Sequence, residues 1–138
     1  MRSSRDEREA LADFAARYTS PPAEVIQEVE RRVIGAVWGA NGFTTVAQAD
    51  LLAERLKLTA GKRLVDIGTG RGWPGLYLSR CTGCEVVLTD LPIEGLQHAL
   101  RRAEVESVSS CGAVVASARD LPFGEESFDA IVHTDVLC

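Results

Sequence analysis

The stretch Leu64-Val65-Asp66-Ile67-Gly68-Thr69-Gly70-Arg71-Gly72 constrains this chain more than any other. A short apolar run carrying one acid is followed at once by glycine at every second position. The apolar run reads as a buried strand, and the glycines after it read as a tight turn into a helix. Such a loop lets backbone N–H groups close on a ligand with no Cβ in the way, and the next helix offers its N-terminus. The place of the acid separates two ligand classes. A dinucleotide loop has the spacing G-x-G-x-x-G and a free seat for a pyrophosphate. Here the third glycine comes one position early, and Trp73 fills the slot which that pattern needs. A carboxylate pointing into the same pocket repels a pyrophosphate and attracts a cationic amino group. The loop therefore favours an amino-acid-bearing nucleoside over a nicotinamide dinucleotide.

Downstream residues agree with that choice. Glu85-Val86-Val87-Leu88-Thr89-Asp90 predicts a second buried strand, again ending in an acid. A carboxylate there can accept both hydroxyls of a ribose, each charge-assisted bond contributing roughly 1.5–3 kcal/mol. Ala113 to Ala116 reads as a third strand and Ser117-Ala118-Arg119-Asp120-Leu121-Pro122-Phe123 as a turn-rich loop. Phe128-Asp129-Ala130-Ile131-Val132-His133 reads as a fourth strand. The fold class expected is α/β, a Rossmann-like doubly wound sheet represented by strands 1–4 and preceded by N-terminal helices.

Residues 1–60 form the helical section, with 61–138 as the partial ligand-binding domain. Arg5 to Tyr18 places Leu11, Phe14, Ala15 and Tyr18 on one helical face and charges on the other. Pro21-Pro22 breaks the chain, and Pro22 or Ala23 opens a second helix. Val25, Ile26, Val29, Val33, Ile34 and Val37 make a stripe along it that must pack on something, and Gly39-Ala40-Asn41-Gly42 ends it. Thr45 with Gln48 predicts a capping box for a third helix, whose Val46, Ala49, Leu52, Ala53 and Leu56 face the core. The section reads either as a lid over the ligand or as plain scaffold.

In this order, D-x-G-x-G-x-G, the strand-end Asp90, S-A-R-D-L-P-F and S-F-D-A-I-V resemble the class I S-adenosylmethionine-dependent methyltransferases. Within them the resemblance is to the small-molecule branch related to ubiquinone/menaquinone-biosynthesis methyltransferases, over about residues 41–138. The resemblance implies S-adenosylmethionine as cofactor and methyl transfer to a small-molecule acceptor. It implies that Asp66 and the backbone of Gly68, Thr69, Gly70 and Gly72 face the methionine part, and that Asp90 takes the ribose hydroxyls. Leu91 is then expected against the adenine, with Ser117 and Ala118 at its edge. An acid is frequent in the family at the Ser117 position, and Thr69 replaces a common Cys or Ser. Family members continue past the fourth strand, so the chain is expected to be C-terminally truncated.

His133, at the end of strand four, is the local candidate for a catalytic base. Asp135 is expected to orient an acceptor or cap a following helix, and His98 reads as a surface residue. Methyltransferases acting on base amino groups carry an Asn/Asp-Pro-Pro-aromatic run here, where this chain has His133-Thr134-Asp135-Val136. Net charge is −5 with no basic cluster, which argues against nucleic acid as partner. No apolar run approaches membrane-spanning length and no signal core stands at the N-terminus, so the expected location is cytoplasmic. Cys81-Thr82-Gly83-Cys84 lacks a second pair or a ligand-spaced His, so no metal is expected, and free thiols are the default for all four cysteines, Cys111 and Cys138 included. Two alternatives stand beside the methyltransferase: a non-catalytic remnant or interaction module, and a nicotinamide oxidoreductase, which Asp66 and the glycine spacing oppose. A sheet ending at strand four exposes Asp129-Ala130-Ile131-Val132 as an edge, which predicts self-association.

Overall fold

A computed structural model describes residues 5–134. Three helices come first: α1 (Arg5–Thr19), α2 (Glu24–Ile34) and α3 (Val46–Arg55). An alternating series follows: β1 (Arg63–Ile67), α4 (Gly75–Thr82), β2 (Glu85–Asp90), α5 (Ile93–Val105), β3 (Cys111–Val115) and β4 (Ala130–His133). The four strands form one parallel sheet in the order β3-β2-β1-β4. That order steps outward from β1 to β3 and then returns to its other side. The turning point lies between β1 and β4, and in open α/β sheets ligands bind above the strand C-termini at such a point.

Alternation along the strands decides what is buried. Leu64, Val86, Leu88, Ala130 and Val132 share one core with Leu76 and Leu78 of α4 and Leu96, Ala99 and Ala103 of α5. Ile34, Trp38 and Ala49 belong to the same core, so the end of α2, the segment after it and α3 pack onto the sheet's core. Trp38, Trp73 and Tyr77 form an aromatic cluster there, with the Trp73 indole N–H donating to the Thr44 carbonyl at 3.0 Å.

The capping box of α3 forms as expected, with the Gln48 N–H donating to Thr45 Oγ1 and the Thr45 N–H to Gln48 Oε1. Three boundaries differ from expectation. Strand β3 begins two residues earlier, at Cys111, and β4 begins at Ala130 rather than Phe128. Helix α2 ends at Ile34 because Gly35 takes the left-handed cap conformation at φ 93°, so Gly39 to Gly42 do not end it. The apolar stripe also faces the other way: Val25, Ile26, Val29 and Val33 are 47–67% exposed, while Glu30 and Ile34 point inward. The cause is a polar demand. The N–H groups of Trp38 and Ala40 need an acceptor, and the buried Glu30 Oε1 supplies it at 2.7 and 2.9 Å.

Candidate functional site

The β1–β2 register pairs Asp66 with Leu88 and Ile67 with Thr89, which sets the glycine loop beside the end of β2. The loop's donors are taken up within the protein, most of them by β2. Gly68 and Thr69 N–H donate to the Thr89 carbonyl at 2.8 and 3.1 Å, and those of Gly72 and Trp73 to the Thr69 carbonyl. Gly70 N–H donates to Asp90 Oδ2 at 2.7 Å. These five N–H groups are engaged within the protein, three by Thr89 and Asp90 of β2 and two by the Thr69 carbonyl. What the loop presents instead is close backbone approach. Gly70 has φ 58°, and a Cβ there would lie 2.7 Å from the Tyr18 hydroxyl. Gly95 of α5 plays the same part from the other side, its ideal Cβ falling 2.7 Å from the Gly70 carbonyl oxygen.

Asp66 turns under this loop. Its carboxylate is 1% exposed, and Oδ2 accepts from the Thr69 hydroxyl at 2.7 Å and from Gly75 N–H, at the start of α4, at 2.8 Å. Oδ1 is buried with no hydrogen-bond partner. Burial pushes the carboxyl up to about 7, the two hydrogen bonds pull it back, and the charge of Asp90 adds to the rise. A buried carboxylate oxygen without a donor is the feature that a cationic amino group would satisfy.

Asp90 ends β2 half-buried. Oδ2 takes the Gly70 N–H and Oδ1 takes the Leu91 N–H at 2.8 Å, which fixes the carboxylate plane against the loop. Each oxygen keeps acceptor capacity for a ligand hydroxyl. Burial pushes its pKa above the ordinary carboxylate value, and these two N–H groups oppose that rise.

Helix α1 lies across this edge. Tyr18 is buried against Gly70 and Gly95, and its hydroxyl accepts from Asn41 Nδ2 at 2.6 Å. Burial first, and the Asp90 charge second, push the phenol up to about 12, so it stays protonated. At the far end of the helix, the Ser117 hydroxyl donates to Glu7 Oε1 at 3.2 Å. Arg71, between the second and third glycines, donates to the Arg17 and Ser20 carbonyls at 2.9 Å and stacks over the Tyr18 ring. One helix thus spans the glycine loop and the loop after β3.

The structure brings Asp66, Gly68, Thr69, Gly70, Gly72, Asp90 and Leu91 together at the C-terminal ends of β1 and β2. Ser117 joins them through α1, while Ala118 is exposed beyond it. His133 ends β4 next to Ile67 and is exposed. Asp135 and Cys138 lie outside the described residues. Cys81 and Cys84 are free thiols at the opposite end of the sheet, one exposed and one buried. Tyr18, Asn41, Arg71 and Gly95 were not singled out for this site from sequence. Tyr18 carried a local signal as the last residue of an apolar face, but its contact with Gly70 joins distant parts of the chain. Among the described residues no helix is long and apolar enough to cross a membrane.

Comparison with known proteins follows the same outline. Residues 64–138 match the family model described as a methyltransferase domain. The O-methyltransferase rstn1 of Aspergillus nomiae is 32% identical over 93 residues, covering 61% of this chain and 40% of that protein. The ubiquinone/menaquinone biosynthesis C-methyltransferase UbiE of Geotalea daltonii is 30% identical over 81 residues, covering 56% of this chain and 34% of that one. The chain thus spans well under half the length of these two relatives. A crystal structure of a SAM-dependent methyltransferase from Thiobacillus denitrificans, in complex with S-adenosyl-L-homocysteine, superposes with a TM-score of 0.62. It is 21% identical, and the match covers 84% of this chain and 45% of that one, a likeness of fold.

Proposed function

The chain belongs to the methyltransferase-domain family, and on that premise we propose that it carries the S-adenosylmethionine-binding part of an enzyme that methylates a small-molecule acceptor. The observation that carries the reading is the pairing of Asp66 and Asp90 at the ends of adjacent parallel strands. One of the two has a buried oxygen without a donor, and the other is tied to the glycine loop.

Bound at this edge, the cofactor supplies an electrophilic methyl group on a sulfonium sulfur. The protein's task is placement, and holding two reactants in line is worth roughly 7–11 kcal/mol of the barrier. In this reading Asp90 accepts the ribose hydroxyls, and Asp66 offers its free oxygen toward the cationic amino end. Helix α1, anchored by Tyr18 at the loop and by Glu7 at Ser117, acts as a lid that excludes water. Where the acceptor is a neutral nucleophile it gives up one proton, and an imidazole nitrogen of His133 takes it. The net charge of −5 supports a small molecule over a nucleic acid. The relatives include an O-methyltransferase and a C-methyltransferase, so the proposal extends to both oxygen and carbon acceptors. Free thiols at Cys81, Cys84 and Cys111 are in keeping with the reducing cytoplasm.

Calorimetric titration of the chain with S-adenosylhomocysteine tests the reading. Binding in the micromolar range is expected, with NADH giving no competition. Asp90→Ala removes one or two charge-assisted bonds and should weaken binding about ten- to a hundredfold. No heat from a chain that circular dichroism shows to be folded would overturn the assignment of this edge as the cofactor site.

A further inference from the structure

A cavity lies away from the Asp66–Asp90 edge. It has a volume of about 390 Å³ and opens between the Pro21-Pro22 turn, the segment 37–39 and α5. That size suits a small organic molecule. Pro22, Val37, Trp38 and Val105 supply apolar wall, and Trp38 is itself buried and rigidly held, with the Arg102 guanidinium 4.9 Å above its ring.

The charges along the cavity are unbalanced. Arg71, Arg101 and Arg102 all line it, against a single lining carboxylate among the described residues, Glu106. Glu106 is already engaged by Arg80 and, at 3.8 Å, by Arg102. Neither Arg71 nor Arg101 makes a salt bridge among the described residues. Arg71 donates to backbone carbonyls and stacks on Tyr18, the Glu30 carboxylate acts on it only through space, and its Nε is buried without a partner. His98 also lines the cavity, half-buried rather than on the surface as its sequence position had suggested. Burial pushes its imidazole down, a hydrogen bond to the Tyr18 backbone opposes that, and the charges of Arg101 and Arg71 add to the fall. Two guanidiniums that make no salt bridge among the described residues, Arg101 at the exposed rim and Arg71 deeper in, are a donor set for an oxyanion. In a chain of net charge −5 this local excess of cations is the exception.

We propose that this cavity binds a small organic oxyanion, a carboxylate or phosphate monoester on a flat apolar body, with Arg101 and Arg71 holding the head and Trp38 and Pro22 the body. The site shares Arg71 with the glycine loop, is otherwise lined by residues away from the Asp66–Asp90 edge, and does not depend on the methyl-transfer reading. An inorganic ion alone would leave the apolar wall unused. A nucleic acid would need a longer basic track than three arginines around one cavity.

Titration of the ¹⁵N-labelled chain with phenyl phosphate, followed by amide and indole resonances, tests this. The Trp38 indole N–H and the backbone of residues 98–105 should shift together in a saturable way. Neutral 2-phenylethanol should bind at least tenfold more weakly. Arg101→Gln should weaken phenyl phosphate about fivefold to tenfold, the share of one charge-assisted contact. Arg101 is exposed and makes no ion pair among the described residues, so the variant should keep its fold. Val105→Asp, at a position 83% exposed, supplies a second test by adding a like charge at the rim, and it too should weaken binding. Equal affinity for the neutral analogue, unchanged affinity in both variants, or shifts confined to Gly68–Gly72 and Asp90 would each overturn the proposal.

Discussion

Asp66→Asn isolates the energetic consequence of burying a carboxylate beneath the glycine loop. In the folded chain Asp66 titrates near 7, against an ordinary value of 3.8, chiefly because burial disfavours the ion. The folded state therefore holds a proton that the unfolded chain has released. Its contribution to stability is fully present below about pH 4 and is lost as pH rises to about 7, staying absent above that. Three pH units at about 1.4 kcal/mol each correspond to roughly 4 kcal/mol as an upper value. Asparagine keeps an oxygen for the Thr69 hydroxyl and the Gly75 N–H and has no charge to gain. Its other group, an NH₂ in place of the unpartnered Oδ1, carries a cost that does not change with pH. The difference in stability between variant and wild type should thus move in the variant's favour as pH rises from about 4 to about 8. Even half of the upper value displaces the urea midpoint by about 1 M, well within measurement. Taking the difference at each pH removes the opposing contribution of His98 and most of the contribution of Asp90, which has the same sign as that of Asp66. S-adenosylhomocysteine binding should weaken in the same variant, since the free carboxylate oxygen is lost. A stability difference that stays constant with pH would refute the buried, proton-holding Asp66.

Gly95→Ala should destabilise the chain by about 1–3 kcal/mol in urea titrations, although alanine ordinarily favours a helix interior. The added methyl meets the Gly70 carbonyl at 2.7 Å, where neither backbone can yield freely, and an unchanged midpoint would show that α5 does not press on the loop. Strand β4 is an edge among the described residues and bears Ile131, 57% exposed, so the wild-type chain should self-associate in light scattering. Ile131→Lys should shift it toward monomer, and a monodisperse wild-type monomer would count against edge pairing.

Much of this architecture was legible locally because strands and tight turns follow from short-range rules. An apolar run ending in Asp66 or Asp90 is a strand wherever it packs, and the Thr45/Gln48 box is closed within one helical turn. The stripe on α2 misled for an equally physical reason. Its valines make an apolar face, yet the amides of Trp38 and Ala40 recruited Glu30 inward and turned that face outward. Periodicity records where apolar side chains lie on a helix but not which buried backbone groups elsewhere need an acceptor.

The candidate site divides along the same line. Sequence by itself determined the parallel α/β layout, the glycine turn and the two strand-end carboxylates, since spacing within a few residues dictates each of them. Only tertiary structure decided that the loop's amides are turned inward, that Asp66 keeps one oxygen without a donor, and that Tyr18 and Glu7 carry one helix over both loops. It also decided that Arg71, Arg101 and Arg102 meet around one cavity. Those contacts join residues far apart in the chain, and they form only because the shared core fixes α2 and α5 against the sheet and α1 packs on α5.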